Sequence, residues 1–239
     1  MFLTFKKWTA LYLLTILALF GIFAAILWQG SAVNASKNLQ IEEEEGGFVL
    51  IVDPGHGGID GGAVSADGTV ESQVNLVIGL RMEEIAQLMG VETVMTRREN
   101  VDLHDADAAT IRQQKVSDLK NRVAKVNGIP GGVLVSLHQN SMPQAPSVRG
   151  AQVFYGTAEG SQELAESVQA ALNGIINDKP KEVKAAGSGV YLLKNAEVPA
   201  ILVECGFLSN AEETALLNTE SHQTRLALTI LASVLSWLQ

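Results

Sequence analysis

The sequence predicts an α/β fold: a single domain built on one twisted, mostly parallel sheet of about six strands with helices on both faces, preceded by one N-terminal membrane segment. Three observations carry this. Continuous apolar runs of strand length, Phe48-Val49-Leu50-Ile51-Val52, Val133-Leu134-Val135-Ser136-Leu137 and Ala200-Ile201-Leu202-Val203, suit strands covered on both faces, as in parallel sheets. Stretches with helical spacing of apolar residues lie between them. Ahead of them all, residues 8–28 carry no charge.

That first stretch, from Trp8 to Trp28, would span ~30 Å as a helix, enough to cross a bilayer. Lys6 and Lys7 precede it and Glu42-Glu43-Glu44-Glu45 follow it, so the positive-inside rule places the rest of the chain outside the cytoplasm. Val33-Asn34-Ala35 offers small residues to a signal peptidase, but the apolar run is longer than a usual signal sequence, which favours a retained anchor. Residues 1–29 are thus read as anchor or signal segment, 30–46 as a polar linker and 47–239 as the catalytic domain.

Within the domain the elements alternate. After the first strand, Val74, Ile78, Ile85 and Leu88 share a helical face, and residues 91–96 form a weaker strand candidate. Val116, Leu119, Val123 and Val126 mark the next helix, ahead of the second strong strand. A weak strand at 151–155 leads to a helix with Leu164, Val168, Leu172 and Ile175. A further weak strand at 190–193 precedes the third strong one, and Leu226, Ile230 and Val234 mark the last helix.

Composition excludes some functions. The 239 residues include 17 Lys+Arg against 26 Asp+Glu, a formal charge of −9, which argues against nucleic-acid binding. With 47% hydrophobic residues the chain is too apolar to be disordered. The single cysteine, Cys205, cannot form an intramolecular disulfide; strand alternation turns it away from Glu204, as a buried structural thiol.

The chemistry-bearing residues follow the three strong strands. The first leads into Asp53-Pro54-Gly55-His56-Gly57-Gly58, the second into His138 and the third into Glu204. Ligands of open α/β sheets bind beyond the carboxyl ends of strands, so these residues can converge. Glu71, in the first turn of the helix after the glycine-rich loop, can join them. Two histidines and a carboxylate leave one tetrahedral position on zinc open, as in catalytic sites. His56, Glu71 and His138 are therefore expected to bind one Zn2+, with Glu204 as general base and Asp53 and Asn140 as partners that orient the histidines. Zinc suits this set better than magnesium, which prefers an all-oxygen shell.

Each residue also has a structural explanation. Glu71 can favour a helix N-terminus capped by Thr69. His56 can be a turn residue, and His138 a hydrogen-bonded buried histidine. Glu204 is hardest to explain this way, because a carboxylate after Ala-Ile-Leu-Val is seldom buried without a partner. His104, in a polar stretch, and His222, near a helix start, are assigned to solvent. Two other function classes stay open on these residues alone: a zinc peptidase or deacetylase, and a catalytically inactive binding or activating module, against which the presence of all four site residues speaks.

Val52-Asp53-Pro54-Gly55-His56-Gly57-Gly58, Val70-Glu71, Ser136-Leu137-His138-Gln139-Asn140 and Val203-Glu204-Cys205-Gly206-Phe207-Leu208-Ser209-Asn210 resemble the ordered signatures of zinc-dependent N-acetylmuramoyl-L-alanine amidases. Residues 112–127, Gly150-Ala151-Gln152 and Gly189-Val190-Tyr191-Leu192 resemble its germination-specific branch in endospore formers. The resemblance covers residues 48–239. It implies a peptidoglycan hydrolase that cuts between N-acetylmuramic acid and L-alanine of the stem peptide, with zinc on His56, Glu71 and His138 and catalysis by Glu204. It also implies a role in muramic-δ-lactam formation in the spore cortex, with a muramic acid deacetylase acting next and an activating lipoprotein as a partner. A vegetative autolysin of the same specificity is the alternative. Some members of the family fold a helix over the zinc after the second histidine motif; here residues 139–149 contain Pro143 and Pro146, which disfavour a helix and predict an open site.

Overall fold

The computed structural model describes residues 47–239; the expected membrane segment and linker lie outside the described residues. No helix among the described residues is long and apolar enough to cross a membrane. The strands are β1 (Val49–Pro54), β2 (Thr93–Met95), β3 (Gly132–Asn140), β4 (Gln152–Tyr155), β5 (Lys184–Ala185) and β6 (Ala200–Phe207). The helices are α1 (Glu71–Leu88), α2 (Ile111–Asn127), α3 (Ser161–Ile175), α4 (Tyr191–Asn195), α5 (Ala211–Leu217) and α6 (Glu220–Trp237). All six strands form one sheet in the order β2-β1-β3-β6-β4-β5. The first four of these are parallel, β4 pairs antiparallel with β6, and β5 runs with β4.

Period-two alternation divides the strand residues between two faces. Leu50, Val52, Val133, Val135, Leu137, Ile201 and Val203 face the larger core, with Val74 and Ile78 of α1, Leu164, Val168 and Leu172 of α3, and Leu226, Ile230 and Val234 of α6. Burying each such side chain contributes ~1.5–3 kcal/mol, so this face supplies most of the apolar stabilisation. Cys205 lies on it, fully buried as expected. Ile51, Leu134, Ala200 and Leu202 face a smaller cluster with Val126 of α2 and Leu192 and Leu193 of α4.

The strand residues that continue this thinner face are polar. Alternation carries Ile51 to Asp53, Leu134 to Ser136 and His138, and Leu202 to Glu204. The register sets Asp53 beside Ser136 and His138 beside Glu204. His138 and Glu204 lie within their strands rather than beyond them, because β3 runs on to Asn140 and β6 to Phe207.

Four expectations are corrected. The strand at 190–193 is instead helix α4, since neighbouring Leu192 and Leu193 are both buried, as one helical turn permits; the sixth strand is the two-residue, exposed β5. Thr69 is not the cap of α1: the N-cap is Val70, without a side-chain bond, and the Thr69 N–H donates to Ser65 Oγ at 2.9 Å. Leu88, Val116, Leu119 and Ile175 are exposed, and the buried residues of α2 are Arg122 and Val126. His222 is buried at 6% exposure, not solvated, because α6 turns it inward.

Candidate metal centre

After Asp53 and Pro54 end β1, the chain turns sharply through Gly55, His56 and Gly57. His56 has φ of 62°, making it the one non-glycine residue with positive φ among the described residues. A histidine held there costs on the order of 1–3 kcal/mol, so the surroundings must impose the conformation. Two buried guanidinium groups do so. Arg122 donates to Pro54 O at 3.1 Å and His56 O at 2.7 Å, while Arg97 donates to Pro54 O at 2.9 Å and Gly55 O at 3.0 Å. Three consecutive carbonyls are thereby fixed. Gly55 has no alternative here, because a Cβ at that position would overlap the His138 ring.

Glu71 opens α1 and reaches back over the strand ends. Its Oε2 accepts from Ala63 N at 2.8 Å and its Oε1 from Gln139 N at 3.1 Å. The same Oε1 lies 3.1 Å from His56 Nε2 and 3.0 Å from His138 Nδ1. These three donor atoms all lie within 4.8 Å of one another. Donors on a tetrahedral ion with bonds of ~2.0–2.1 Å stand about 3.3–3.5 Å apart, so small movements of these side chains would admit zinc. The donor set and its spacing fit that ion.

Electrostatics agree. Burial alone would lower His56, but the Glu71 and Asp60 carboxylates beside it push it up to about 9. Burial alone would raise Glu71, yet the two imidazoles hold it well below the usual carboxylate range. The centre thus favours positive charge between its donors. Glu204 differs: burial pushes it up to about 7, with His138 pulling it down and Glu71 adding to the rise. It is a buried carboxylate beside the donors, with Oε2 left without a hydrogen-bond partner.

The structure brings together His56, Glu71 and His138, with Glu204 adjacent. Neither expected orienting residue hydrogen-bonds a histidine side chain. Asp53 is committed to Arg122, Thr96 and Ser136 at 2.6–2.7 Å, and the Asn140 side chain accepts from Ser141 N. Burial would raise Asp53, but Arg122 and the two hydroxyls hold it at about 2. Sequence reasoning missed Asp60, whose Oδ2 accepts from His56 Nδ1 at 2.9 Å, and Arg97, and it gave no site role to Lys115 and Arg122, which it singled out only as part of the resemblance in residues 112–127. His104 bonds Asp102 at 2.5 Å and is part-buried, so it too is not simply a solvated histidine.

A groove of about 340 Å³ runs from the centre between α2 and α4, with Lys115, Leu119, Tyr191, Leu202 and Glu204 among its walls. No helix lies between β3 and β4, so that segment forms no helical cover over the centre.

An α/β sheet that gathers two histidines, a carboxylate and a further buried carboxylate near the carboxyl ends of its parallel strands offers a donor set that could hold a metal ion, as hydrolases of this fold class use. Residues 50–236 match the N-acetylmuramoyl-L-alanine amidase family, and the chain belongs to it. The germination-specific N-acetylmuramoyl-L-alanine amidase of Bacillus subtilis strain 168 is 30% identical over 191 residues, covering 80% of each protein. The CwlD amidase from Clostridioides difficile, solved in complex with the GerS lipoprotein, matches with TM-score 0.76 and 34% identity over 80% of this chain and 98% of that one. The catalytic domain of the CwlV amidase from Bacillus (Paenibacillus) polymyxa matches with TM-score 0.69 and 27% identity over 80% of this chain and 98% of its own.

Proposed function

We propose that this chain is a zinc-dependent amidase that cuts the bond between N-acetylmuramic acid and L-alanine during maturation of the spore cortex. The observation that carries the reading is the meeting of His56 Nε2, His138 Nδ1 and Glu71 Oε1 beside the unpartnered Glu204. His56, Glu71 and His138 hold the ion. A zinc ion held there would supply Lewis-acid activation of the scissile carbonyl and of water. Glu204 takes a proton from the attacking water and returns it to the leaving amine. The groove beside Leu119 and Tyr191 takes the chain of the substrate.

The spore role draws support from the 30% identity to a germination-specific amidase. The charge-free residues 8–28 support an exported protein held at the outer face of a membrane. The lipoprotein seated on the C. difficile relative makes a partner of that kind reasonable here, and a muramic acid deacetylase would act on the product.

Digestion of purified peptidoglycan followed by muropeptide analysis tests the reaction. Free stem peptides beginning with L-alanine are expected; cuts within the peptide would instead make the protein a peptidase, and loss of acetate a deacetylase. Spores of a strain lacking the protein are expected to lack muramic-δ-lactam, and normal lactam content would move the role to the vegetative wall. Elemental analysis should find about one zinc per chain. A His56→Ala, His138→Ala double variant should lose it, and an unchanged zinc content would refute the ligand assignment.

A further inference from the structure

His56 and His138 are positioned by different means. His138 Nδ1 faces Glu71, and its ring lies against the open side of Gly55. His56 stands at the mouth of the groove on a strained residue and presents Nε2 inward. Its other nitrogen, Nδ1, meets Asp60 Oδ2 at 2.9 Å. The second oxygen of Asp60 accepts from Lys115 Nζ of α2 at 2.9 Å. Main-chain bonds between Gly57 and Asp60, at 2.8 and 3.0 Å, set the Asp60 side chain in place.

We propose that Asp60 is a positioning residue for the metal centre: it holds the His56 ring with Nδ1 protonated and Nε2 free as the donor, and Lys115 holds Asp60 in turn. An imidazole in its neutral form has one protonated nitrogen and one lone pair, so a fixed acceptor at Nδ1 decides which nitrogen meets the ion. A carboxylate in that place also makes the donor nitrogen more basic, and losing such partners commonly lowers metal affinity ~10–100-fold. Asp60 itself lies on the far side of the ring from Glu71 and is not a ligand. The proposal rests on the zinc reading above, and it assigns to Asp60 and Lys115 a part in holding that ion.

Zinc affinity by chelator competition, measured on Asp60→Ala, Asp60→Asn and wild-type protein, tests it, together with thermal unfolding of each in metal-free form. The expected result is a ~10–100-fold loss for Asp60→Ala and a smaller loss for Asp60→Asn. The asparagine oxygen can still accept from Nδ1–H but carries no charge. Metal-free unfolding should change little, because Asp60 is part-exposed. Wild-type affinity in Asp60→Ala overturns the proposal. So does an affinity loss that is equal in both variants and matched by a fall in metal-free stability, which would mark a merely structural role. Wild-type protein that takes up no zinc overturns this proposal and the zinc reading together. Wild-type protein that binds zinc and releases stem peptides, alongside an unaltered Asp60→Ala, overturns this one alone.

Discussion

Glu204→Gln is expected to slow peptidoglycan hydrolysis by ~10²–10⁴-fold while the protein keeps its zinc. The substitution preserves size and touches none of the three donors, so zinc content and turnover should separate cleanly. Near-normal turnover with zinc bound would assign the base to another residue. The same substitution should stabilise the metal-free protein, and the sign follows from where the carboxyl titrates. Glu204 is pushed from 4.5 up to about 7 by burial, so the folded state prefers it protonated. Ionising it above pH 4.5 therefore opposes folding, and the cost grows until the pH passes about 7. Glutamine carries no such cost. Its stabilising effect should be near zero at pH 4.5 and reach at most about 3 kcal/mol at pH 8, at 1.36 kcal/mol per pH unit. Denaturant unfolding at the two pH values checks it. An equal effect at both would show that the gain is packing rather than relief of a buried charge.

What the sequence made legible tracks how strongly each element depends on burial. Strands β1, β3 and β6 are apolar on both sides because helices cover both faces, so their runs stand out. β5 has two exposed residues and leaves no pattern, while the short run Val190-Tyr191-Leu192-Leu193 fits strand or helix equally until packing decides. α2 misleads for a different reason: its buried face centres on Arg122, and an arginine on a helix reads as solvated. The residues meeting at the centre were legible because each lies on or just after a strong strand or begins the helix after one. The groups that hold them were not. Arg122 acts on Asp53 from 69 positions away, and Lys115 on Asp60 from 55. No local pattern reports a partner at that distance.

Arg122→Met is expected to destabilise the domain by about 3–5 kcal/mol, the usual cost of stranding one member of a buried ion pair. Arg122 is the largest fully buried side chain described, and Asp53 beside it is 1% exposed. Their Nη1–Oδ1 distance is 2.6 Å, with Asp118 on Nε at 2.8 Å. The pH dependence fixes the sign independently. Asp53 is held at about 2, below its usual 3.8, so the stability it contributes is present above pH 3.8 and is lost as the pH falls through 2. At neutral pH that contribution is about 2–3 kcal/mol. In Arg122→Met the acid-side loss should shrink, because the cation that depresses Asp53 is gone. Removing both charges in Asp53→Asn, Arg122→Met should recover part of the stability, since the fully buried Asp53 charge is then no longer stranded, and Asp118, which also loses Arg122, is part-exposed and keeps the Leu103 N–H. The recovery should be incomplete. His56 O still loses its guanidinium donor and Pro54 O one of its two, and His56 would be freer to leave its strained conformation. The double variant should therefore be more stable than Arg122→Met alone yet hold zinc less tightly than wild type. If the double variant is no more stable than the single, the stabilising contact of Arg122 is with the carbonyls of the loop rather than with Asp53.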